Sequence, residues 1–210
     1  MSVERENLDD QLRRCLCIGI DLDMTLIDTR AATAHALRRV NERHGFGIDV
    51  EAVVSNLGPP LKQELSRWVA AESLDEAVRC FREYFLTEGL SHLTPLPGAL
   101  LLASLLRDGD RRLVVITSRI PPIATACLKA CGLEVSAIAG NVAGREKGPA
   151  IKAHSAAVYV GDHTLDMAGA QEANVPGIGV TTGSHTSADL RAAGATWVVD
   201  SLERLATAFA

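Results

Sequence analysis

Cys15-Leu-Cys-Ile-Gly-Ile-Asp21-Leu-Asp23-Met-Thr25 is a short apolar run that ends abruptly in two acids. Residues 15–20 have the length and unbroken hydrophobicity of a strand buried on both faces. Asp21 and Asp23 therefore leave the carboxyl end of that strand, the edge at which open parallel sheets take up ligands. Two carboxylates two residues apart repel unless a cation or a proton joins them. The pair is a natural Mg²⁺ site, or a nucleophile beside its acid/base partner; a turn carrying two solvated acids is the plain alternative.

Working outward, similar apolar runs recur at 113–116, 135–139, 157–160, 178–180 and 197–199. Their length and β-branched content suit central parallel strands. Helical stretches separate them, at 121–130 with prolines at its start, at 165–173, and at 188–193 before Gly194. Strand and helix in alternation make a parallel, three-layer α/β fold. The interval 29–93 breaks the alternation. Apolar positions at helical spacing predict helices over 31–44, 50–57 and 61–71, and Ser73 with Glu76 has the capping-box spacing for a fourth helix to about Thr87. Thr94-Pro-Leu-Pro-Gly98 reads as a rigid, turn-rich return. The expected organisation is an α/β core over 12–28 and 94–210, with a helical unit over 29–93 inserted in it.

The chain has 210 residues, 47% hydrophobic and 22% charged, enough to bury a sizeable core. A net charge of −5 with no basic run argues against nucleic acid or an anionic membrane as the main partner. A small diffusible substrate fits better. No apolar stretch is long enough for a membrane span, and the polar N-terminal residues lack a secretory pattern, so the cytoplasm is the expected location. Cys15, Cys17, Cys80, Cys127 and Cys131 form no Cys-x-x-Cys pair and read as buried reduced thiols. The oligomeric state has no signature in the sequence.

Three further strand ends carry polar groups. The run at 113–116 leads into Thr117-Ser118-Arg119, a hydroxyl and backbone N–H groups just before a helix, suited to cradling phosphate oxygens. The run at 157–160 leads into Gly161-Asp162-His163-Thr-Leu-Asp166, which adds two carboxylates four residues apart. Between them Lys147, in Gly144-Arg-Glu-Lys-Gly-Pro149, is a cation able to hold a phosphoryl oxygen and balance the acids.

With these four elements in this order, the chain resembles the haloacid dehalogenase-like hydrolase superfamily over nearly its whole length. The resemblance implies a Rossmann-like core with an inserted helical cap at 29–93. It implies Asp21 as nucleophile, Asp23 as general acid and base, Thr117 as the phosphate-binding hydroxyl, Lys147 as the third-motif lysine, and Asp162 and Asp166 as metal-site acids. Mg²⁺ would be held by Asp21, Asp162 and Asp166 together with Asp23 through its backbone carbonyl. Ser118, Arg119 and Lys62 are expected to bind substrate. Leu57-Gly-Pro-Pro-Leu61 resembles the substrate-reading cap loop of phosphoglycolate-phosphatase-like members. Two departures stand out: Met24 replaces a common glycine, and Arg119 stands where many relatives have lysine.

The implied activity is Mg²⁺-dependent hydrolysis of a small phosphorylated metabolite through an aspartyl phosphate. A phosphomutase of the same fold, or a phosphate-ligand-binding protein without catalysis, is the alternative. The presence of Asp23 weighs against dehalogenase and phosphonate-cleaving chemistry. His163 reads as a polar surface group and the other histidines as scattered. Trp68 and Tyr84 read as packing residues.

Overall fold

The structure, a computed structural model, describes residues 2–210. The chain opens with helix α1 (Ser2–Arg14), strand β1 (Cys17–Ile20) and a two-residue strand β2 (Ile27–Asp28). Four helices follow: α2 (Arg30–His44), α3 (Val50–Val54), α4 (Leu61–Leu65) and α5 (Ala71–Thr87). After a short 3₁₀ turn, β3 (Thr94–Pro95) and α6 (Ala99–Asp108) lead into β4 (Arg112–Ile116), α7 (Pro121–Ala130), β5 (Ala137–Ala139) and α8 (Lys147–Ala153). The remainder is β6 (Val158–Gly161), α9 (Thr164–Ala173), β7 (Gly177–Val180), α10 (Ser187–Ala192), β8 (Trp197–Val199) and α11 (Leu202–Ala206).

Six strands form one parallel sheet in the order β5-β4-β1-β6-β7-β8. β1, β6 and β7 are buried along their whole length, which is why the sequence shows continuous apolar runs instead of alternation. One apolar cluster joins Ile18, Ile20, Val115 and Val160 of the sheet to helices on one face, including Leu12 of α1, Leu102 of α6 and Cys127 of α7. The opposite face packs Tyr159 and Ile116 against Ile151 of α8 and Ala170 of α9. The result is the three-layer α/β architecture that the alternation implied. Because β4 and β6 flank β1 while their crossovers run to opposite sides, the carboxyl end of β1 lies at the sheet's switch point.

Residues 29–93 contain no strand. α2 packs on α3 and α5, and α4 on α5. Several boundaries differ from expectation. α3 ends at Val54 rather than near 57, ahead of Gly58 at φ +147° and of Pro59 and Pro60, which lack amide donors, and α4 ends at Leu65 rather than near 71. α5 starts at Ala71, so Ser73 lies inside the helix and its N–H donates to the Ala70 carbonyl; it is no cap. Residues 94–95 are more than a turn: β3 pairs antiparallel with β2, so the two ends of the helical segment lie side by side in one two-stranded ribbon. α1 has no counterpart in the sequence reading, yet Leu8 and Leu12 are buried. The five cysteines are free and buried, as expected. Among the described residues no helix is long and apolar enough to cross a membrane.

Candidate active site

The Asp21 amide donates to the Val160 carbonyl at 2.9 Å, extending the ladder one residue beyond β1 and anchoring the nucleophile candidate at the sheet edge. The chain then turns back tightly: the N–H groups of Leu26 and Ile27 both donate to the Leu22 carbonyl. Met24 sits in this turn with φ +56°, the left-handed region that explains why a glycine is common there. A non-glycine residue in that region costs about 1–2 kcal/mol. Burial of the Met24 side chain and a hydrogen bond from Thr182 Oγ1 to the Met24 carbonyl offset the strain.

β6 delivers Asp162 beside Asp21, and the first turn of α9 delivers Asp166. Carboxylate oxygens of Asp21, Asp162 and Asp166 lie within 4.8 Å of one another. Lys147, from the start of α8, donates to Asp21 Oδ1 at 2.9 Å, Asp166 Oδ1 at 2.6 Å and the Tyr159 hydroxyl at 3.0 Å. All three donors of its ammonium are used. Thr25 Oγ1 donates to Asp162 Oδ1 at 2.7 Å, while Asp162 Oδ2 is buried without a partner. A Cβ on Gly183 would stand 1.9 Å from that oxygen, so the backbone there closes on Asp162 as only glycine permits.

These four charged residues are at most 5% exposed, so three acids confront one base away from water. Burial pushes the Asp21 carboxyl up to about 7; Lys147 opposes the shift, and Asp166 and Asp23 add to it. Asp162 is driven well above the usual carboxylate range by burial and by Asp166 and Asp21. Burial works to lower the Lys147 ammonium, but the Asp166 and Asp21 carboxylates outweigh it and hold it well above the ordinary lysine value. An excess of buried negative charge with an orphaned oxygen is the donor set of a divalent oxygen-ligated cation.

Asp23 is held differently from the other acids. Arg119 Nε reaches its Oδ1 and Oδ2 at 2.9 and 2.8 Å, Arg119 Nη2 reaches Oδ1 at 2.7 Å, and Thr29 Oγ1 donates to Oδ1 at 2.5 Å. The guanidinium also lies over the Phe85 ring of α5, 4.3 Å from its centroid. Arg119, expected to bind substrate, is thus bound to the acid/base candidate and to the helical segment. Thr117 is fully buried. Its amide donates to the Ala139 carbonyl, and its Oγ1 accepts from the Arg119 amide at 3.2 Å, so two of the N–H groups read as open to phosphate are already engaged.

A cleft runs between the sheet edge and the helical segment, lined on one side by Asp23, Ser118 and Arg119 and on the other by Gly58, Lys62 and Arg82. The Lys62 ammonium, 60% exposed, pairs with Asp75 at 2.6 Å. His163 is not the surface group that the sequence suggested. It is buried, its Nδ1 accepts from the Leu165 amide at 3.0 Å, and its ring lies edge-on to His185 at 4.2 Å. Burial and the neighbouring His185 push its pKa down to about 4. Gly58 of the inserted segment rests on this ring: a Cβ there would stand 2.6 Å from His163 Cδ2.

Tyr159 was not singled out in the sequence. It is fully buried, donates to the Ile116 carbonyl at 2.7 Å and accepts from Lys147. The available signal was the lone aromatic in Val-Tyr-Val-Gly facing Gly19, whose missing side chain makes room for the ring, 3.0 Å from a Cβ built there. Thr25 and Thr29, the hydroxyl partners of Asp162 and Asp23, were likewise missed because hydroxyls near a turn are common.

The family model described as haloacid dehalogenase-like hydrolase matches residues 18–147, and a second, HAD-hydrolase-like, matches 137–205. A phosphoglycolate phosphatase from Caulobacter vibrioides is 28% identical over 207 residues, covering 88% of this chain and 86% of the relative. "Probable phosphatase IndB" from Dickeya dadantii is 30% identical over 205 residues, covering 88% and 89%. Among solved structures, a haloacid dehalogenase-like family hydrolase from Streptococcus pneumoniae superposes with a TM-score of 0.80 at 22% identity, covering 93% of this chain and 98% of that one.

Proposed function

This chain belongs to the haloacid dehalogenase-like hydrolases, and from that premise we propose that it is a Mg²⁺-dependent phosphatase that cleaves a small phosphomonoester through an aspartyl phosphate on Asp21. The observation that carries the reading is the convergence of Asp21, Asp162 and Asp166 within 4.8 Å around the buried Lys147 ammonium. Its position at the carboxyl edge of the sheet adds support.

Asp21, Asp162 and Asp166, with the backbone carbonyl of Asp23, would hold the ion. When bound, it would supply positive charge that draws phosphoryl oxygens toward Asp21 and offsets the charge that resists attack. Asp21 donates an electron pair to phosphorus as the bond from phosphorus to the ester oxygen breaks. Asp23 gives a proton to the leaving alkoxide, then takes one from the water that splits the aspartyl phosphate and returns Asp21 as a carboxylate. Lys147, held by Asp166 and Tyr159, acts on the phosphoryl oxygens through its charge, and the Thr117 hydroxyl adds a hydrogen bond to them.

Residues 29–93 act in this reading as a cap over a core of 12–28 and 94–210, with the β2–β3 ribbon as its two connections. The contact of Gly58 with His163 supports a closed arrangement that keeps water from the site. Arg82 on the cleft wall suits a substrate with a second anionic group, which agrees with the phosphoglycolate phosphatase among the relatives.

The test is phosphate release from a panel of small phosphomonoesters that includes phosphoglycolate, with Mg²⁺ present. Turnover should fall at least about 10³-fold in Asp21→Asn and in protein treated with EDTA. Unchanged turnover in folded Asp21→Asn would remove the aspartyl-phosphate step.

A further inference from the structure

A second cluster of ligand-type side chains lies in the helical segment, away from the acids at the sheet edge. His44 closes α2, while Glu76 and Cys80 stand four residues apart on one face of α5. His44 Nε2 is 3.2 Å from Cys80 Sγ, Cys80 Sγ is 3.4 Å from Glu76 Oε1, and His44 Nε2 is 3.9 Å from the same oxygen. With the usual zinc bond lengths, ligand atoms around a tetrahedral ion stand about 3.3–3.5 Å apart. The observed triangle has nearly those edges, and its members combine a nitrogen, a sulfur and an oxygen.

Two features orient the group. The Phe46 ring stacks on His44 with 5.0 Å between centroids and 3° between planes, which holds the imidazole with Nε2 toward the thiol. Arg79 donates from Nε to Glu76 Oε2 at 2.9 Å and from Nη2 to Glu76 Oε1 at 2.6 Å. Arg79 is 59% exposed, so its planar fork can shift as a whole onto Oε2 alone and leave Oε1 to an ion. Oriented ligands with a retained outer partner are what metal sites require. Cys80 is fully buried, but His44 and Glu76 are partly exposed, which leaves a solvent-facing route and room for a water ligand.

We propose that His44, Glu76 and Cys80 bind a borderline-soft divalent transition-metal ion of the zinc class, with water as fourth ligand, and that this ion ties α2 to α5. Binding displaces the thiol proton to solvent and gives a metal-bound thiolate. A hard ion such as Mg²⁺ has no preference for this set. The site is therefore independent of the one proposed at Asp21, and either can fail without the other.

Co²⁺ is the probe, titrated into the full chain with Mg²⁺ in large excess and a reductant that does not bind metal. Wild-type protein should bind one equivalent with a near-ultraviolet sulfur-to-cobalt charge-transfer band. The band should vanish in Cys80→Ser, weaken at least ten-fold in apparent affinity in His44→Gln, and persist in Asp162→Asn. No band at one equivalent, or a band that survives Cys80→Ser, overturns the proposal. Should Cys80→Ser fold poorly, Zn²⁺ in excess Mg²⁺ should still raise the melting temperature of wild type but not of His44→Gln. An equal rise in both overturns it.

Discussion

Arg119 grips both oxygens of Asp23 while standing on the ring of Phe85, and both charged partners are largely buried. Removing one member of a buried pair leaves the other charge uncompensated, at a typical cost of about 3–5 kcal/mol. Arg119→Ala should therefore lower unfolding free energy by about 3 kcal/mol in urea titrations. The double variant Asp23→Ala/Arg119→Ala should lose at least about 1 kcal/mol less than the two single losses summed. Simple additivity would show that the pair is not coupled. Another residue-level outcome concerns Cys127, whose thiol burial pushes up to about 12 from an ordinary value of 9.0. The folded state thus favours the neutral thiol. Its contribution is complete below pH 9, where the unfolded thiol is also neutral, and is lost as pH rises from there toward 12. At pH 10 this group alone should take about 1 kcal/mol from the stability seen at pH 8. Comparing urea midpoints at the two pH values in wild type and Cys127→Ala checks this, since the variant should show a smaller drop.

At the scale of elements, the loop between α3 and α4 is one place where the helical segment touches the sheet edge, besides the contact of Arg119 with Phe85 of α5. Gly58 holds φ +147° and comes within side-chain distance of His163, which itself caps α9. Any side chain at 58 must move the loop or the ring. Gly58→Ala should raise KM at least about ten-fold by spoiling closure, and the strained backbone at φ +147° with the crowding of His163 should also lower stability by about 1–3 kcal/mol. A steady-state measurement showing unchanged KM would mean that closure does not pass through this contact. The β2–β3 ribbon is the other decisive element: pairing Ile27 with Pro95 and Asp28 with Thr94 brings both ends of the helical segment to one place.

For the molecule as a whole, the balance of buried charge at the sheet edge would link folding to the proposed metal. Three acids against one lysine repel, and a bound divalent ion relieves that repulsion only in the folded chain. Mg²⁺ at about one hundred times its dissociation constant should add about 2.7 kcal/mol, or roughly 5–10 °C in melting temperature. Asp162→Asn should abolish the rise, and a full rise in that variant would move the ion elsewhere. Much of this molecule was legible in the sequence because its determinants are local. Buried parallel strands must be apolar along their length, so β1, β4, β6 and β7 announced themselves, and the polar residues ending them marked the edge where the acids and Lys147 meet. Met24 and the prolines at 59 and 60 likewise carried their backbone meaning within a few residues. The helix boundaries near Pro59 and Ser73 were less legible, since tertiary packing outweighs a capping pattern. What the sequence could not supply were partnerships across long separations: Lys147 with Tyr159 and Asp21, Arg119 with Asp23, Gly58 with His163, and His44 with Cys80. The sequence by itself determined the order of elements and the chemical types brought to one edge. Only the tertiary structure decided which of those groups touch, because a contact depends on the register of strands and the seating of helices that no single segment encodes.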